Sequence, residues 1–410
     1  MKILWVKAGG LVPPDIGGRI RSYHILKELA KTHTVTLFTF YAAHSGDLHP
    51  QLQGEFDRVV YCPLRIATDR GMGELTSFLG NLFSSQPHSV SKYCRPEAVE
   101  SMRKILQSDQ FDVIVCDFIF AAGVIPWEFA CPKVLFTHNV EALIWKRHMQ
   151  VSRNLLWKLV CWGEYQKMLR HEETCLNKSQ HVLTVSETDR NFFERFVDRS
   201  KMTIIGTGVD PDYFRPSQGE ETLNSLVFTG AMDWMPNEDA ILYFLDSILP
   251  LIRKEIADVK LTVVGRRPSD KLQSIAEKIG GIRVTGRVED VRPYVAAAAV
   301  YVVPLRVGSG TRLKIFEAMA MGKAIVSTSV GAEGLPVRDG VNLLLGDTAQ
   351  QFAGKVVSLL GDAEQRRRLG SAARRLVEER YSWSSVTADI DAVLRLLADK
   401  QESCATGIAG

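Results

Sequence analysis

The fold is indicated first by residues 3–40, which read ILWVKAGGLVPPDIGGRIRSYHILKELAKTHTVTLFTF. Two apolar runs of strand length, 3–6 and 35–40, flank a stretch from Gly18 to about Ala30 whose apolar residues have helical spacing. A strand, a helix and a second strand in this order are typical of a parallel sheet covered by helices. The segment therefore predicts a β-α-β unit.

The same alternation continues along the chain and begins again after a break. Further strand-like runs lie at 113–116, 134–137, 182–185, 226–229, 261–264, 283–285, 300–303 and 324–327. A stretch rich in Gly, Pro and Ser separates the two series at 206–219. We therefore predict an α/β protein with two Rossmann-like domains, 1–205 and 206–384, and a C-terminal helix at about 385–400 that packs back on the first.

Composition excludes several classes of protein. The 410 residues carry a formal net charge of +3, from 50 Lys and Arg against 47 Asp and Glu, and 46% are apolar. This balance is ordinary for a globular protein and lacks the basic excess of a nucleic-acid-binding protein. The seven cysteines have no metal-ligand spacing, and no apolar run approaches the roughly 20 residues of a membrane span. We expect a cytoplasmic protein with no metal site and no nucleic-acid partner.

The most informative stretch lies at 307–323 and reads VGSGTRLKIFEAMAMGK. Its glycines follow a predicted strand, and the helix after them begins with unpaired N–H groups, which favour phosphate. Arg312 and Lys314 add positive charge where a purely structural helix favours Asp or Glu, so we predict an anionic ligand. Glu317 follows on an apolar helix, and both ribose hydroxyls and a salt bridge to Lys314 or Arg312 fit it as partners.

This stretch resembles the donor-binding signature of the retaining GT-B glycosyltransferases of family 4. Other stretches resemble the same family in the expected order, at 17–18, 137–139, 185–187, 208–214, 228–234, 264–265, 285–290 and 381–383. The resemblance extends over almost the whole chain. It implies the GT-B fold, in which two Rossmann-like domains with parallel sheets face a central cleft.

The resemblance also implies which residues bind the donor, a nucleotide diphosphate sugar. These are Gly17, Gly18, Gly230, Val288, Ser309, Gly310, Thr311 and Glu317. Glycines of both domains, together with Thr311, are expected at the pyrophosphate, and Glu317 at the ribose hydroxyls. The backbone of Val288 is expected at the nucleobase.

The implied reaction is sugar transfer to an acceptor with retention of configuration and without a metal or other cofactor. His138 is expected near the sugar or the acceptor, and Arg312 and Lys314 near the leaving diphosphate, whose negative charge they would stabilise. The N-terminal domain takes the acceptor in this fold, which makes Arg19, Arg21 and His24 candidate acceptor contacts. A metal clamp at 210–212, which reads Asp-Pro-Asp, is the less favoured alternative because this string lies in the linker.

Two departures from the family pattern keep other functions open. The position eight residues before Glu317 is usually a glutamate and is Ser309 here, and the usual Arg and Lys after the first strand of the second domain are absent from 231–237. We predict that Arg312 and Lys314 replace those cations. The alternatives are a catalytically silent protein that binds sugar nucleotides and a sugar-nucleotide epimerase of the same architecture.

Residues 145–170 form a local basic and aromatic segment. They contain three of the seven tryptophans and six Lys or Arg against one acidic residue, which suits the surface of an anionic bilayer. An alternative of at least equal weight is that Leu155, Leu156, Leu159 and Val160 are buried in the first domain. The membrane interpretation predicts a peripheral protein at the inner face of the cytoplasmic membrane. Its acceptor would be a glycan or a lipid-linked molecule in polysaccharide or envelope glycan biosynthesis.

Overall fold

The computed structural model describes residues 1–14, 17–42, 50–64, 80–81, 84–151, 154–217, 219, 221–307 and 313–406. The chain divides into two units, Met1–Gly206 with Val386–Gly410, and Thr207–Ser385. Each unit is built around its own parallel sheet with helices, which confirms the predicted α/β class.

The first unit contains a seven-stranded sheet in the order β3-β2-β1-β4-β5-β6-β7, and all its pairings are parallel. The strands are β1 (Lys2–Ala8), β2 (Thr34–Ala42), β3 (Arg58–Leu64), β4 (Val113–Asp117), β5 (Lys133–Phe136), β6 (His181–Thr184) and β7 (Met202–Ile204). The central strand β1 pairs with β2 on one side and β4 on the other, and its residues 3–6 are fully buried. This explains why the strand reads as a continuous apolar run.

Helices connect these strands, as parallel pairing requires. They are α1 (Gly17–Leu29), α2 (His88–Ser91), α3 (Pro96–Ser108), α4 (Glu141–Val151), α5 (Leu155–Lys178) and α6 (Glu187–Phe193), with short 3₁₀ helices at Ile119–Val124 and Arg199–Lys201. The long helix α5 begins at the cap Asn154, whose side chain accepts a hydrogen bond from the backbone N–H of Trp157.

The second unit contains a six-stranded parallel sheet in the order β10-β9-β8-β11-β12-β13. Its strands are β8 (Thr222–Thr229), β9 (Lys260–Val264), β10 (Ile282–Val284), β11 (Ala298–Val303), β12 (Ala324–Ser327) and β13 (Leu344–Leu345). Its helices are α7 (Met235–Tyr243), α8 (Leu249–Glu255), α9 (Asp270–Ile279), α10 (Arg292–Ala297), α11 (Leu313–Ala320), α12 (Ala349–Gly361) and α13 (Ala363–Arg380), with a π-helical turn at Phe244–Ile248.

The last helix, α14 (Trp383–Thr406), starts in the second unit and belongs from Val386 onwards to the first. Its first residue packs on Gly208, because a Cβ at position 208 would overlap the Trp383 ring. Val209 pairs with Ser382 through a parallel bridge. Two of the stretches that resemble the family, 208–214 and 381–383, are therefore neighbours in the second unit.

The start of α5 is where the structure contradicts one interpretation of the sequence. Leu155, Leu156 and Leu159 are exposed rather than packed in the core, and Val160 is partly buried. The core of this unit instead takes Cys161, Met168, Cys175 and Leu176 from the same helix. Among the described residues, none of the helices combines the length and the apolar character of a membrane-spanning segment.

Candidate active site

One cluster of polar side chains lies at the carboxyl ends of three neighbouring strands in the first unit. Lys7 lies near the end of β1, Asp117 is the last residue of β4, and His138 follows β5 by two residues. Ligands of parallel α/β sheets bind at such strand ends. We call Lys7, Asp117, His138 and the α1 residues Arg21 and Ser22 the first cluster.

Asp117 is the centre of this cluster. Its Oδ2 accepts hydrogen bonds from Lys7 Nζ at 3.0 Å and from Trp5 Nε1 at 2.8 Å, and its Oδ1 lies 2.6 Å from His138 Nε2. Lys7 Nζ also donates to Ser22 Oγ at 2.9 Å. The aspartate therefore joins the central strand, the helix α1 and the loop after β5.

Arg21 approaches His138 from the other side of its ring. The guanidinium Nη1 lies 3.2 Å from His138 Nδ1, and the Arg21 side chain is buried. A Cβ at Gly18 would lie 3.7 Å from the same ring nitrogen, so the start of α1 lies against the imidazole. The structure thus brings together Gly18, Arg21 and His138, three of the residues that the sequence singled out.

The charges of the cluster favour a neutral His138. Burial lowers the pKa of His138 to about 4, although Asp117 acts to raise it, and both Lys7 and Arg21 lower it further. Burial acts to raise the pKa of Asp117, but the Lys7 charge and the His138 hydrogen bond hold it well below its usual value. The ring therefore donates through Nε2–H to an ionised Asp117 and accepts from Arg21 at Nδ1.

Acid is expected to destabilise this cluster through His138. Because the folded-state pKa lies below the unfolded value of 6.5, the stability contribution is present above about pH 6.5 and is lost as the pH falls towards 4. A loss of about 2 kcal/mol is expected over this range, and His138→Gln should remove most of it. Denaturant unfolding at several pH values measures this. The exposed His148 gives the control, His148→Gln. If the free energy of unfolding fell equally with decreasing pH in both variants, the assignment would be contradicted.

A second cluster lies in the second unit, where β8 ends and α11 begins. Lys314 Nζ donates a hydrogen bond to Asn237 Oδ1 at 2.7 Å and lies 4.1 Å from the centre of the Phe228 ring. Glu317 follows Lys314 by three residues on the same helix, which places both side chains on neighbouring positions of one face. We call Phe228, Gly230, Asn237, Lys314 and Glu317 the second cluster.

Gly230 makes the approach of Lys314 sterically feasible. Its φ of +154° lies in the region that favours glycine, and a Cβ there would lie 2.6 Å from Lys314 Nζ and 2.7 Å from Asn237 Nδ2. Asn237 is buried and donates to the carbonyl of Ala231 at 2.8 Å. The helix start of 313–320 and the segment 231–237, from which the usual cations are missing, are therefore in direct contact.

Glu317 is held in an environment that disfavours its charge. Burial raises the pKa of this carboxyl to about 7, although the charge of Lys314 acts to lower it. The preceding residue, Phe316, stacks on Tyr381 with ring centres 4.9 Å apart, which fixes the face that α11 presents. A carboxyl that changes its protonation state near neutral pH is a common feature of functional sites.

The other predicted site residues are less closely linked. Four of them, Ser309, Gly310, Thr311 and Arg312, lie outside the described residues. Val288 is partly buried against the apolar core beside α11. Gly17 begins α1, Arg19 donates to the carbonyl of Gly9 at 3.1 Å, and the His24 ring packs edge-on against Tyr23.

Five residues of the two clusters were not predicted as site residues from sequence: Lys7, Ser22, Asp117, Phe228 and Asn237. Asp117 and Lys7 stand in buried, otherwise apolar strands, and a charged residue at the end of such a strand is the signal that points to a site. Asn237 had no comparable signal, because an asparagine near the start of a helix is ordinary.

The Asp-Pro-Asp string of the linker forms a turn. The Asp210 carboxylate accepts hydrogen bonds from the backbone N–H groups of Asp212 and Tyr213, at 3.0 and 2.9 Å. Within the described ranges, the side chains include no group of three or more His, Cys, Asp and Glu arranged to hold a metal ion.

Two parallel α/β units, with a cation and a carboxyl on a helix that contacts the end of a strand, agree with a protein of the GT-B type. Family comparisons are specific on this point. Residues 17–213 match the model described as Glycosyltransferase Family 4, and residues 224–362 match Glycosyl transferases group 1. The chain belongs to the GT-B glycosyltransferases of the family 4 type.

Relatives in sequence agree with the assignment of the chain to this family. An uncharacterized 44.6 kDa protein in the cps region of Klebsiella pneumoniae is 20% identical over 95% of this chain and 98% of that protein. The phosphatidyl-myo-inositol mannosyltransferase of Mycobacterium tuberculosis H37Rv is 31% identical over 47% of this chain and 54% of its own length.

The fold is similar to Anabaena Alr3699/HepE in complex with UDP, with a TM-score of 0.67 and 15% identity over 96% of this chain and 100% of that one. Sucrose-phosphate synthase of Thermosynechococcus elongatus gives a TM-score of 0.68 and 17% identity over 97% and 98% of the two chains. At these identities the similarity concerns the fold alone.

Proposed function

We propose that this protein transfers a sugar from a nucleotide diphosphate sugar to a glycan or lipid-linked acceptor with retention of configuration and without a metal. The observation that carries the proposal is the second cluster. A lysine amine beside a glycine at a strand end, with a partly buried carboxyl one helical turn later, offers a cation for a diphosphate and an acceptor for ribose hydroxyls.

The donor is proposed to bind the second unit. Lys314 contacts the diphosphate together with Gly310, Thr311 and Arg312, and Glu317 binds the ribose hydroxyls. The position of Lys314 beside Asn237 supports its replacing the cations that 231–237 lacks. Val288 is proposed to contact the base. Structures of similar fold contain UDP and UDP-glucose, so UDP-glucose is the first donor to test.

The reaction breaks the bond between the anomeric carbon and the leaving diphosphate oxygen and forms a bond from the same carbon to an acceptor hydroxyl oxygen. The electron pair of the broken bond remains on the diphosphate, and the hydroxyl proton passes to that oxygen because both groups lie on one face of the sugar. Lys314 and Arg312 stabilise the negative charge that develops on the diphosphate. This chemistry needs no metal.

The first unit is proposed to take the acceptor. Since both ring nitrogens of His138 are bonded, to Asp117 and Arg21, the proposed role of His138 is to position Gly18 and the start of α1 beside the donor. Arg19 and His24 are further proposed acceptor contacts.

The affinity for UDP-glucose is expected to increase several-fold between about pH 6 and pH 8. As the pH rises through the Glu317 pKa of about 7, the carboxyl ionises and becomes a better acceptor for ribose hydroxyls. The sugar diphosphate has no group that titrates in this range, and Glu317→Gln should bind with an affinity independent of pH. Calorimetric titration measures both proteins. An unchanged pH dependence in the variant would remove Glu317 from the donor site.

Retention is tested on the configuration of the product, and metal independence is tested on the rate of transfer. Proton NMR of the transferred sugar is expected to give the anomeric configuration of the donor, and EDTA is expected to leave the rate unchanged. An inverted product or a rate restored only by added Mg²⁺ would contradict the proposed mechanism.

The proposal includes a pathway and a location. The pathway is polysaccharide or envelope glycan biosynthesis, and the location is a peripheral position at the inner face of the cytoplasmic membrane. The relative in the Klebsiella cps region supports the first, and the name phosphatidyl-myo-inositol mannosyltransferase supports a lipid acceptor. The two alternative functions, a silent binding protein and an epimerase, differ from a transferase in whether turnover requires an acceptor.

A further inference from the structure

The first two turns of α5 present an apolar face to solvent. Leu155 and Leu156 are each 75% exposed, Leu159 is 65% exposed and Trp162 is 54% exposed. Residues 155, 159 and 162 are spaced by four and three positions, so they form one stripe along the helix. A contiguous exposed apolar stripe of this kind marks an interaction surface. We call Leu155, Leu156, Leu159 and Trp162 the α5 tip.

This stripe is not the face by which α5 packs on its own unit. The buried residues of α5, Cys161, Glu164, Met168, Glu172 and Cys175, also follow helical spacing and occupy the opposite side. Beyond Trp162 the exposed positions become polar, with Arg170, Glu173 and Asn177. The apolar surface is therefore confined to the beginning of the helix.

Positive charge lies at the α5 tip. Lys158, which is partly exposed, lies within it. The one acidic residue of 145–170, Glu164, is 2% exposed, forms a salt bridge with Lys167 at 3.0 Å and accepts from the backbone N–H of His88. Because that carboxylate is withdrawn from the surface, the exposed charge of this segment is positive.

Leucine and tryptophan side chains with lysine among them match the interface of an anionic bilayer. The apolar groups enter the acyl boundary, tryptophan is favoured at the level of the headgroups, and lysine pairs with anionic lipid. A second copy of this chain fits less well, because a symmetric contact would place the Lys158 side chains of the two copies near each other. The charge thus favours lipid over self-association.

We infer that the α5 tip inserts into the surface of an anionic membrane and anchors the first unit there. The inference rests on the proposed lipid-linked acceptor for its purpose, and on the exposed side chains for its evidence. Glu172, further along α5, binds the backbone N–H groups of Glu141 and Ala142 at 2.7 and 3.3 Å, close to His138 in sequence. Leu159 and Glu172 are about 20 Å apart along the helix axis, so α5 connects the α5 tip with the segment that follows β5 in the same unit.

Membrane binding of the full chain is measured by co-sedimentation with vesicles of phosphatidylcholine, with and without phosphatidylglycerol. Binding is expected to the anionic vesicles and to weaken in high salt. Leu156→Ser with Leu159→Ser should reduce the partition coefficient at least tenfold, since both leucines leave water on binding. The matched control is Leu223→Ser with Leu396→Ser, at two leucines that are 80% and 54% exposed elsewhere.

The electrostatic contribution to membrane binding is tested with two lysine variants on the same helix. Lys158→Gln is expected to reduce binding to phosphatidylglycerol vesicles several-fold, whereas Lys178→Gln, at the exposed far end of α5, should have no effect. Equal effects of the two lysine variants would overturn the placement of the membrane contact at the α5 tip.

Two further results would overturn the inference. One is wild-type protein that does not bind anionic vesicles, and the other is a leucine double variant that binds them as the wild type does. The competing occupant of this surface is a second copy of the chain, which sedimentation velocity detects as a dimer. A dimer that dissociates in the leucine double variant, together with no binding to vesicles, would assign the surface to self-association. UDP-glucose binding without lipid is measured in parallel. Protein that binds vesicles but no nucleotide would contradict the proposed function and leave this inference standing.

Discussion

Replacing Lys314 with methionine is expected to weaken UDP-glucose binding about 30-fold, which corresponds to about 2 kcal/mol for a charge-assisted hydrogen bond to phosphate. Methionine preserves the apolar stem over Phe228, so the loss reports the charge rather than packing. The same change removes the cation that lowers the Glu317 pKa, and the pH at which donor affinity increases should therefore move upwards. Calorimetry at several pH values measures both effects.

The control for this variant lies in the same unit. Lys355 pairs with Asp339 at 3.0 Å on the surface, and Lys355→Met should leave UDP-glucose affinity unchanged. Arg312→Ala is expected to weaken binding as strongly as Lys314→Met does. Unchanged affinity in both the Lys314 and the Arg312 variants would show that these two residues do not replace the missing cations.

Asp117→Asn is expected to lower the transfer rate about 100-fold and the free energy of unfolding by about 3 kcal/mol. The amide leaves the buried Lys7 without its counterion, and removal of one partner of a buried ion pair is strongly destabilising. It also permits His138 to reverse its tautomer, which weakens the bond to Arg21 and releases the start of α1. Rates at saturating donor and denaturant unfolding give the two quantities.

A double variant separates the effect of Asp117 on the position of α1 from its effect on the stability of the protein. Lys7→Met with Asp117→Asn removes the unpaired charge and should recover most of the lost stability, but it should not recover the transfer rate. Asp112→Asn, at the other end of the β4 segment, is the matched control, because that carboxylate accepts only from the exposed backbone N–H of Lys2 among the hydrogen bonds described. A double variant that transfers at the wild-type rate would reduce the first cluster to a stabilising role.

The central strands could be predicted from sequence because burial on both faces makes them continuous apolar runs. Each strand-like run that we identified is a strand in the structure. The strands without such a signal, β3, β7 and β13, all lie at sheet edges. The edge strand β3 contains the exposed Arg58 and Pro63, so its sequence does not resemble that of β1.

The first cluster could be predicted only in part. Gly18 and His138 belong to stretches that resemble the family, but Lys7 and Asp117 are 110 residues apart and meet only because β4 pairs with β1. Strand order in a parallel sheet is not given by local pattern. The α5 tip was ambiguous for a different reason. The first turns of this helix are apolar on both sides, and spacing alone does not tell which side faces the core.

The central claim is that a donor bound by the second cluster gives up its sugar to an acceptor. Nucleoside diphosphate release, measured with UDP-, GDP- and ADP-sugars in the presence and absence of bacterial lipid extract, tests it most directly. We predict release with one class of donor that increases with the extract, is accompanied by a glycosylated product, and is lost in Lys314→Met but not in Lys355→Met. Interconversion of the sugar nucleotide without an acceptor, or tight binding with no release under any condition, would contradict the account.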